Sequence, residues 1–243
     1  MRTSERILLP KRQETEQKRE LMREELTIII GASRGIGKEL CRVYRSESPI
    51  LVGTARKACK ELSALVDEAW LEVDVASPCL EETLLSNLKQ RTIAQLIISA
   101  GILENDGLNS PSSEAIRRQF EVNALGALRC AYQLHSSVKD SGTIAFITSR
   151  MGSITDNTSG GYYGYRISKA ALNAGAKSLA IDLKPRGVKV AILHPGFVKT
   201  DMTSGQGFID SSTAATMLKE QIDTWKTEET GQFRHANGED LPW

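Results

Sequence analysis

Short runs of β-branched and aliphatic residues recur along the chain at about 27–31, 50–54, 71–75, 95–99, 143–148 and 188–193. Stretches with helical spacing of apolar positions separate most of them. Strands alternating with helices predict right-handed βαβ crossovers and a parallel sheet with helices on both faces. Within the runs, Ile28-Ile29-Ile30 and Leu96-Ile97-Ile98 show no in-out alternation, as a strand covered on both sides requires. The pattern predicts an α/β fold: a three-layer, doubly wound parallel sheet in a single domain over 22–243. The longest helical stretch, 162–184, stops at Pro185 and Gly187. Its small residues Ala170, Ala171, Ala174, Ala176 and Ala180 permit close helix approach, for core packing or for a subunit interface.

Residues 1–21 break the alternation. They hold six basic residues, four glutamates and five hydrophobic residues, which reads as a solvated extension. Ile7-Leu8-Leu9 stopped by Pro10 is too short for a secretory signal, and four acids argue against an organelle-targeting peptide. Met22 is therefore the expected natural start, with a real, disordered or frayed extension as the rival reading. The chain's 31 Lys+Arg against 30 Asp+Glu leave a net charge of +1, which gives no field for nucleic acid or an anionic membrane. No apolar run approaches a bilayer span. Cys41, Cys59, Cys79 and Cys130, like His135, His194 and His235, are scattered without metal-ligand spacing, so no metal site is expected. Reduced thiols in a cytoplasmic protein are the simplest reading.

Chemistry enters after the first strand, at Gly31-Ala32-Ser33-Arg34-Gly35-Ile36-Gly37. Glycines here permit a tight turn, a close backbone approach to a pyrophosphate, and a helix packed near the strand, while the helix N-terminus favours negative charge. The glycines alone fit an ordinary strand-to-helix loop equally well. A Walker-type loop is excluded, because Ile36 stands where its second glycine belongs and Glu39 follows Lys38. An NAD site usually supplies an acid about 20 residues on, whereas an NADP site uses Arg for the 2′-phosphate. Here the second strand ends Thr54-Ala55-Arg56 with no acid before Glu61, and Arg34 adds a second guanidinium. NADPH is favoured over NADH as cofactor.

Tyr165-Arg166-Ile167-Ser168-Lys169 sets a phenol and an ammonium four residues apart, on one helix face. A neighbouring Lys⁺ is expected to bring the Tyr165 pKa down from about 10 towards the working pH. Tyr162 and Tyr163 have no lysine at that spacing. Ser149 stands at the tip of the 143–148 strand, facing the crevice where parallel sheets bind ligands. Asn123 is polar inside an apolar helical stretch, which fits a buried asparagine tied to backbone as well as a functional one.

Taken in order, these features resemble the short-chain dehydrogenase/reductase family, over about Thr27 to Trp243. The set comprises Gly31, Gly35 and Gly37, then Asp74-Val75, Ser99-Ala100-Gly101, Asn123, Ser149, Tyr165 with Lys169, and Pro195-Gly196. The resemblance implies a Rossmann fold and a catalytic tetrad of Asn123, Ser149, Tyr165 and Lys169. It implies that Asp74 and Val75 hold the adenine, that Ser99, Ala100 and Gly101 border the adenosine ribose, and that Val198 and Thr200 meet the nicotinamide amide and the pyrophosphate. Ser149 lies 16 residues before Tyr165, longer than the usual 13, and the chain closes with Asn237-Gly238-Glu239-Asp240-Leu241-Pro242-Trp243. Both features look like the C-factor and sniffer-type carbonyl reductases. Ile98-Ser99 departs from the family's usual two asparagines.

The implied activity is NADPH-dependent reduction of a ketone or aldehyde, with Ser149 bonding the oxyanion, Tyr165 giving the proton, Lys169 on the ribose and Asn123 placing a water. Two alternatives remain: a cofactor-binding signalling or regulatory protein like C-factor, and an NAD-dependent alcohol dehydrogenase, disfavoured by Arg34 and Arg56. The expected lid is 201–225, where Met202, Phe208, Ile209 and Met217 are candidates for an apolar pocket or for packing. Small-molecule substrates are the expected partners. The family's pairing through two long helices, here about 112–137 and 162–184, keeps a homodimer open.

Overall fold

Leu26–Ile30, strand β1, is buried at every position because its alternate side chains enter two different cores. Leu26, Ile28 and Ile30 join one cluster and Ile29 joins the other. This arrangement comes from a computed structural model that describes residues 25–243. The extension 1–21 and the expected start at Met22 lie outside the described residues.

After β1 come α1 (Gly35–Tyr44), β2 (Ile50–Thr54), α2 (Lys60–Leu65), β3 (Glu68–Trp70), α3 (Leu80–Leu88) and β4 (Ile93–Ile98). Helix α4 (Ser113–Phe120) passes through a π-helical turn, Glu121–Gly126, into α5 (Ala127–Leu134) and then β5 (Val138–Ile147). The rest is α6 (Tyr163–Leu183), β6 (Lys189–His194), β7 (Val198–Lys199), β8 (Ile209–Asp210), α7 (Ser211–Thr224) and β9 (Phe233–His235). Seven strands form one sheet in the order β3-β2-β1-β4-β5-β6-β9, and every neighbouring pair is parallel. Helices α3, α5 and α6 pack on one face, and α1, α2 and α7 on the other. The result is the three-layer doubly wound fold that the strand pattern predicts.

The strand order reverses between β1 and β4, which opens a crevice at the carboxyl ends of these strands. Neighbours across the reversal are locked in register: Ile29 lies beside Gly53 on one side and Ile97 on the other. Fully buried Phe146 on β5 anchors the adjoining core, where loss of such a ring costs about 3–5 kcal/mol.

Three local features differ from the sequence pattern. The third strand is Glu68–Trp70, and 71–75 is loop: Glu72 takes a left-handed conformation (φ 60°) and the Asp74 carboxylate accepts from the Ala76 N–H, which turns the chain away from the sheet. Strand β9, three residues long, is too short to register as a periodic pattern. Most of the expected lid is regular structure, since β8 and α7 occupy much of 201–225.

Candidate active site

At the end of β1 the chain turns through Gly31 (φ +85°), where a Cβ would lie 2.7 Å from Ala100 Cα. The absent side chain lets the first loop lie against the loop after β4. Gly37 is tighter still, since a Cβ there would sit 2.1 Å from the Gly31 carbonyl oxygen, so only glycine lets α1 approach the turn this closely. Helix α1 begins with no acidic residue in its first turn and no side-chain cap. Its free N–H groups face the crevice, as anion binding requires.

Gly31, Ser33, Arg34, Gly35, Ile36 and Gly37 form one wall of a groove over this turn. Arg56, Asp74, Val75, Ser99, Ala100 and Gly101 continue it. Pro195 and Thr200 close it opposite, whereas Gly196 and Val198 do not reach it, Val198 being buried in β7 beside Ile209. Arg56 is exposed and has no ion pair among the described residues. Arg34 stands 3.8 Å from Asp201, with both side chains largely exposed, a weak pairing that leaves the guanidinium available. Glu61, the first acid beyond β2, is held by Lys38 at 2.7 Å. The groove therefore presents two arginines, with the Asp201 carboxylate beside one of them, and no acid follows β2 before the Lys38-bound Glu61, a set that fits a 2′-phosphate. Ser99 is fixed by its N–H to the Ile30 carbonyl at 2.9 Å, so the strand tip is secured by main chain without the asparagines usual there.

Tyr165 and Lys169 line the inner end of the same groove, both buried. Helix α6 carries them there, and Asp106, from the loop after β4, accepts the Gly164 N–H at 2.9 Å at the start of that helix. Lys169 Nζ donates to the Ile147 carbonyl at 3.1 Å and lies 5.8 Å from the Tyr165 ring centroid. Burial lowers Lys169 to about 8. Burial also raises Tyr165 to about 12, against the pull of a hydrogen bond with Ser149. The downward shift expected for the phenol from Lys169 is not seen: desolvation dominates, and the opposing pull comes from Ser149. Ser149 stands two residues past β5 and caps a short 3-10 turn, where its Oγ accepts from the Met151 N–H at 3.2 Å.

Asn123 occupies the π-helical turn, fully buried. Its Oδ1 accepts from Ile102 N at 2.7 Å, and its Nδ2 donates to Ile102 O at 2.8 Å and Ser168 Oγ at 3.0 Å. Ser168 in turn donates to the Tyr165 carbonyl at 2.8 Å. Asn123 thus ties the loop after β4 to the helix carrying the tyrosine. Ile102, Val122, Ile147 and Thr148 also line the groove without being marked in the sequence, and as main-chain or apolar wall they carry no chemical signal.

A family model described as short chain dehydrogenase matches residues 25–207. The chain belongs to that family. It is an oxidoreductase with clear relatives among characterised members. The 1-hydroxy-2-glutathionyl-2-methyl-3-butene dehydrogenase of Rhodococcus sp. is 33% identical over 222 positions, covering 89% of this chain and 98% of the relative. C-signal of Myxococcus xanthus is 38% identical over 128 residues, 52% of this chain and 77% of the relative. Among solved structures, the carbonyl reductase Sniffer of D. melanogaster superimposes with a TM-score of 0.80 at 26% identity, covering 90% of this chain and 99% of that one. A short-chain dehydrogenase/reductase from Burkholderia multivorans with bound NADP gives a TM-score of 0.82 at 26% identity, covering 90% and 100%.

In the segment after β6 the apolar residues separate. Met202 lines the groove. Phe208 is 87% exposed and meets Phe197 edge-on at 5.4 Å, Ile209 sits in β8, and Met217 packs against the core beneath α7. His194, next to Pro195, is held neutral, its pKa lowered to about 3 chiefly by burial. Among the described residues no helix is long and apolar enough to cross a membrane, and no group of three or more potential metal ligands occurs.

Proposed function

We propose that this oxidoreductase reduces a ketone or aldehyde to an alcohol with NADPH. The observation that carries the reading is the burial of Tyr165 and Lys169 together at the inner end of a groove rimmed by Arg34 and Arg56, with buried Ser149 hydrogen-bonded to Tyr165 behind the groove lining. The glycine turn and the α1 N-terminus would take the pyrophosphate, Arg34 and Arg56 the 2′-phosphate, Asp74 and Val75 the adenine, and Lys169 the nicotinamide ribose. What bound NADPH supplies is a hydride for the carbonyl carbon.

The residues do the rest. Ser149 Oγ accepts from Met151 N and its own proton is directed to the Tyr165 oxygen, from which it would turn to the carbonyl oxygen as negative charge develops there. Tyr165, with its pKa near 12, is fully protonated at neutral pH, the state a proton donor needs. Lys169, positive below about 8, offsets the phenolate left after transfer. Asn123 has both amide protons committed, so a water linking Lys169 to solvent would draw on its main chain or on the second lone pair of Oδ1.

A screen of NADPH consumption across aldehydes, ketones and quinones tests the reading. Consumption with at least one carbonyl, faster than with NADH, is expected. Protein that binds NADPH and oxidises it with no member of the panel would overturn the reading and favour a cofactor-binding signalling protein.

A further inference from the structure

The closing motif Leu241-Pro242-Trp243 lies far from Ser149 in sequence but is joined to it by hydrogen bonds. Three donors converge on the main-chain oxygen of Trp243: Ser153 Oγ at 3.0 Å, Ile154 N at 3.0 Å and Thr155 N at 2.9 Å. Ser153 is buried, and its N–H continues the turn by donating to the Arg150 carbonyl at 2.9 Å. That 3-10 turn holds the Met151 N–H on Ser149 Oγ. An unbroken path of hydrogen bonds and one tight turn thus runs from Trp243 to the serine hydroxyl.

The closing segment is itself fixed to the sheet. Leu241 donates to the Phe233 carbonyl at 2.8 Å, Arg234 pairs with Asp240 at 3.0 Å, and the Trp243 ring lies 5.5 Å from Phe233. Strand β9, which holds it, is bonded to β6. On its far side the Ser149–Tyr165 connection is gripped by Arg166, whose guanidinium donates to Gly161 O at 3.1 Å and Ser159 Oγ at 2.9 Å. Arg166 Nη1 also reaches the turn nearest Ser149, at the Met151 carbonyl at 3.5 Å, and Trp243 ties the Ser153 end of that turn to the closing segment.

We infer that Trp243, through its main-chain oxygen and Ser153, is a positioning residue for Ser149: it fixes the turn that aims the serine hydroxyl at the carbonyl oxygen. The inference rests on the proposed role of Ser149. A three-donor acceptor is more than packing needs, and the turn's other ties, Arg166 Nη1 to the Met151 carbonyl at 3.5 Å and Gly152 close against the Lys169 backbone, run to α6 and not to the closing segment. Losing it lets the Met151 N–H, and with it Ser149 Oγ, drift from the oxyanion.

The test is a double-mutant cycle on the full chain, using the panel carbonyl with the highest turnover, together with hydrogen exchange of the 150–156 segment. Removing Trp243, or Ser153→Ala, should lower kcat by about tenfold while the Kd for NADPH changes less than about twofold, and Ser153→Thr should restore it. In a Ser149→Ala background the same changes should cost less than about twofold. Exchange at Met151 to Thr155 should rise in both variants, a reading that does not depend on activity. Unchanged exchange, or losses that multiply with Ser149→Ala, would overturn the positioning role alone. A Ser149→Ala variant with full turnover would overturn the catalytic reading and the positioning role with it.

Discussion

Lys169 holds an ammonium in a nearly dry site with one protein acceptor, the Ile147 carbonyl, and burial brings its pKa to about 8. Its charge is therefore present below about pH 8 and lost above it, while Tyr165, near 12, keeps its proton throughout that range. The expected consequence is a kcat/KM for NADPH, which reports the cofactor-free protein, that is level through neutrality and falls about tenfold per unit above pH 8. A profile flat to pH 10 would exclude Lys169 as the ribose-binding cation. Arg34 and Arg56 make a separate prediction. Replacing both with Gln should raise the KM for NADPH about tenfold and leave that for NADH nearly unchanged, because only the 2′-phosphate loses its partners. An unchanged NADPH preference in that variant would defeat the assignment. At this scale the sequence was informative where a side chain carries its own chemistry at a fixed interval, as Tyr165 and Lys169 do four apart on a helix. It left Asn123 open between a functional and a structural reading, because its partners Ile102 and Ser168 are 21 and 45 residues away and only the fold brings them together.

Helix α1 meets β1 at the tightest element contact of the site. Gly37→Ala would place a methyl group 2.1 Å from the Gly31 carbonyl, so the helix must move off the turn. Overpacking of this kind costs about 1–3 kcal/mol, which lowers the melting temperature by about 2–12 °C in a chain of this size. NADPH affinity should fall with it, because the N–H groups that face the pyrophosphate move together. Wild-type NADPH affinity in Gly37→Ala, measured by calorimetry, would contradict this account of the turn. The central strands were legible because burial on both faces demands an unbroken apolar run, as in Ile28-Ile29-Ile30. Val73 and Val75 have the β-branched, apolar character of a strand, but although both are buried, the left-handed Glu72 and the Asp74 side-chain bond put them in a loop lining the groove. The π-helical turn at Glu121–Gly126 left no compositional mark, although such wide turns are common at functional sites and this one holds Asn123.

Across the whole molecule, one sheet reversal sets the position of everything functional. The loops after β1, β2, β3 and β4 supply the groove proposed for the nucleotide, and the start of α6 brings Tyr165, the proposed proton donor, to its inner end with Ser149 hydrogen-bonded behind it. The near-zero net charge says nothing of this, since the charges that matter are local: Arg34 and Arg56 at one end and the buried Lys169 at the other. The central claim is that the groove binds NADPH and that Tyr165 delivers the proton to a reduced carbonyl. Parallel measurement of NADPH binding and carbonyl-dependent NADPH oxidation in wild-type protein and Tyr165→Phe tests it most directly. Binding within about twofold of wild type with turnover reduced by about a thousandfold is the predicted result, since the ring and its packing remain and only the acidic proton is gone. Substantial turnover in Tyr165→Phe would contradict it.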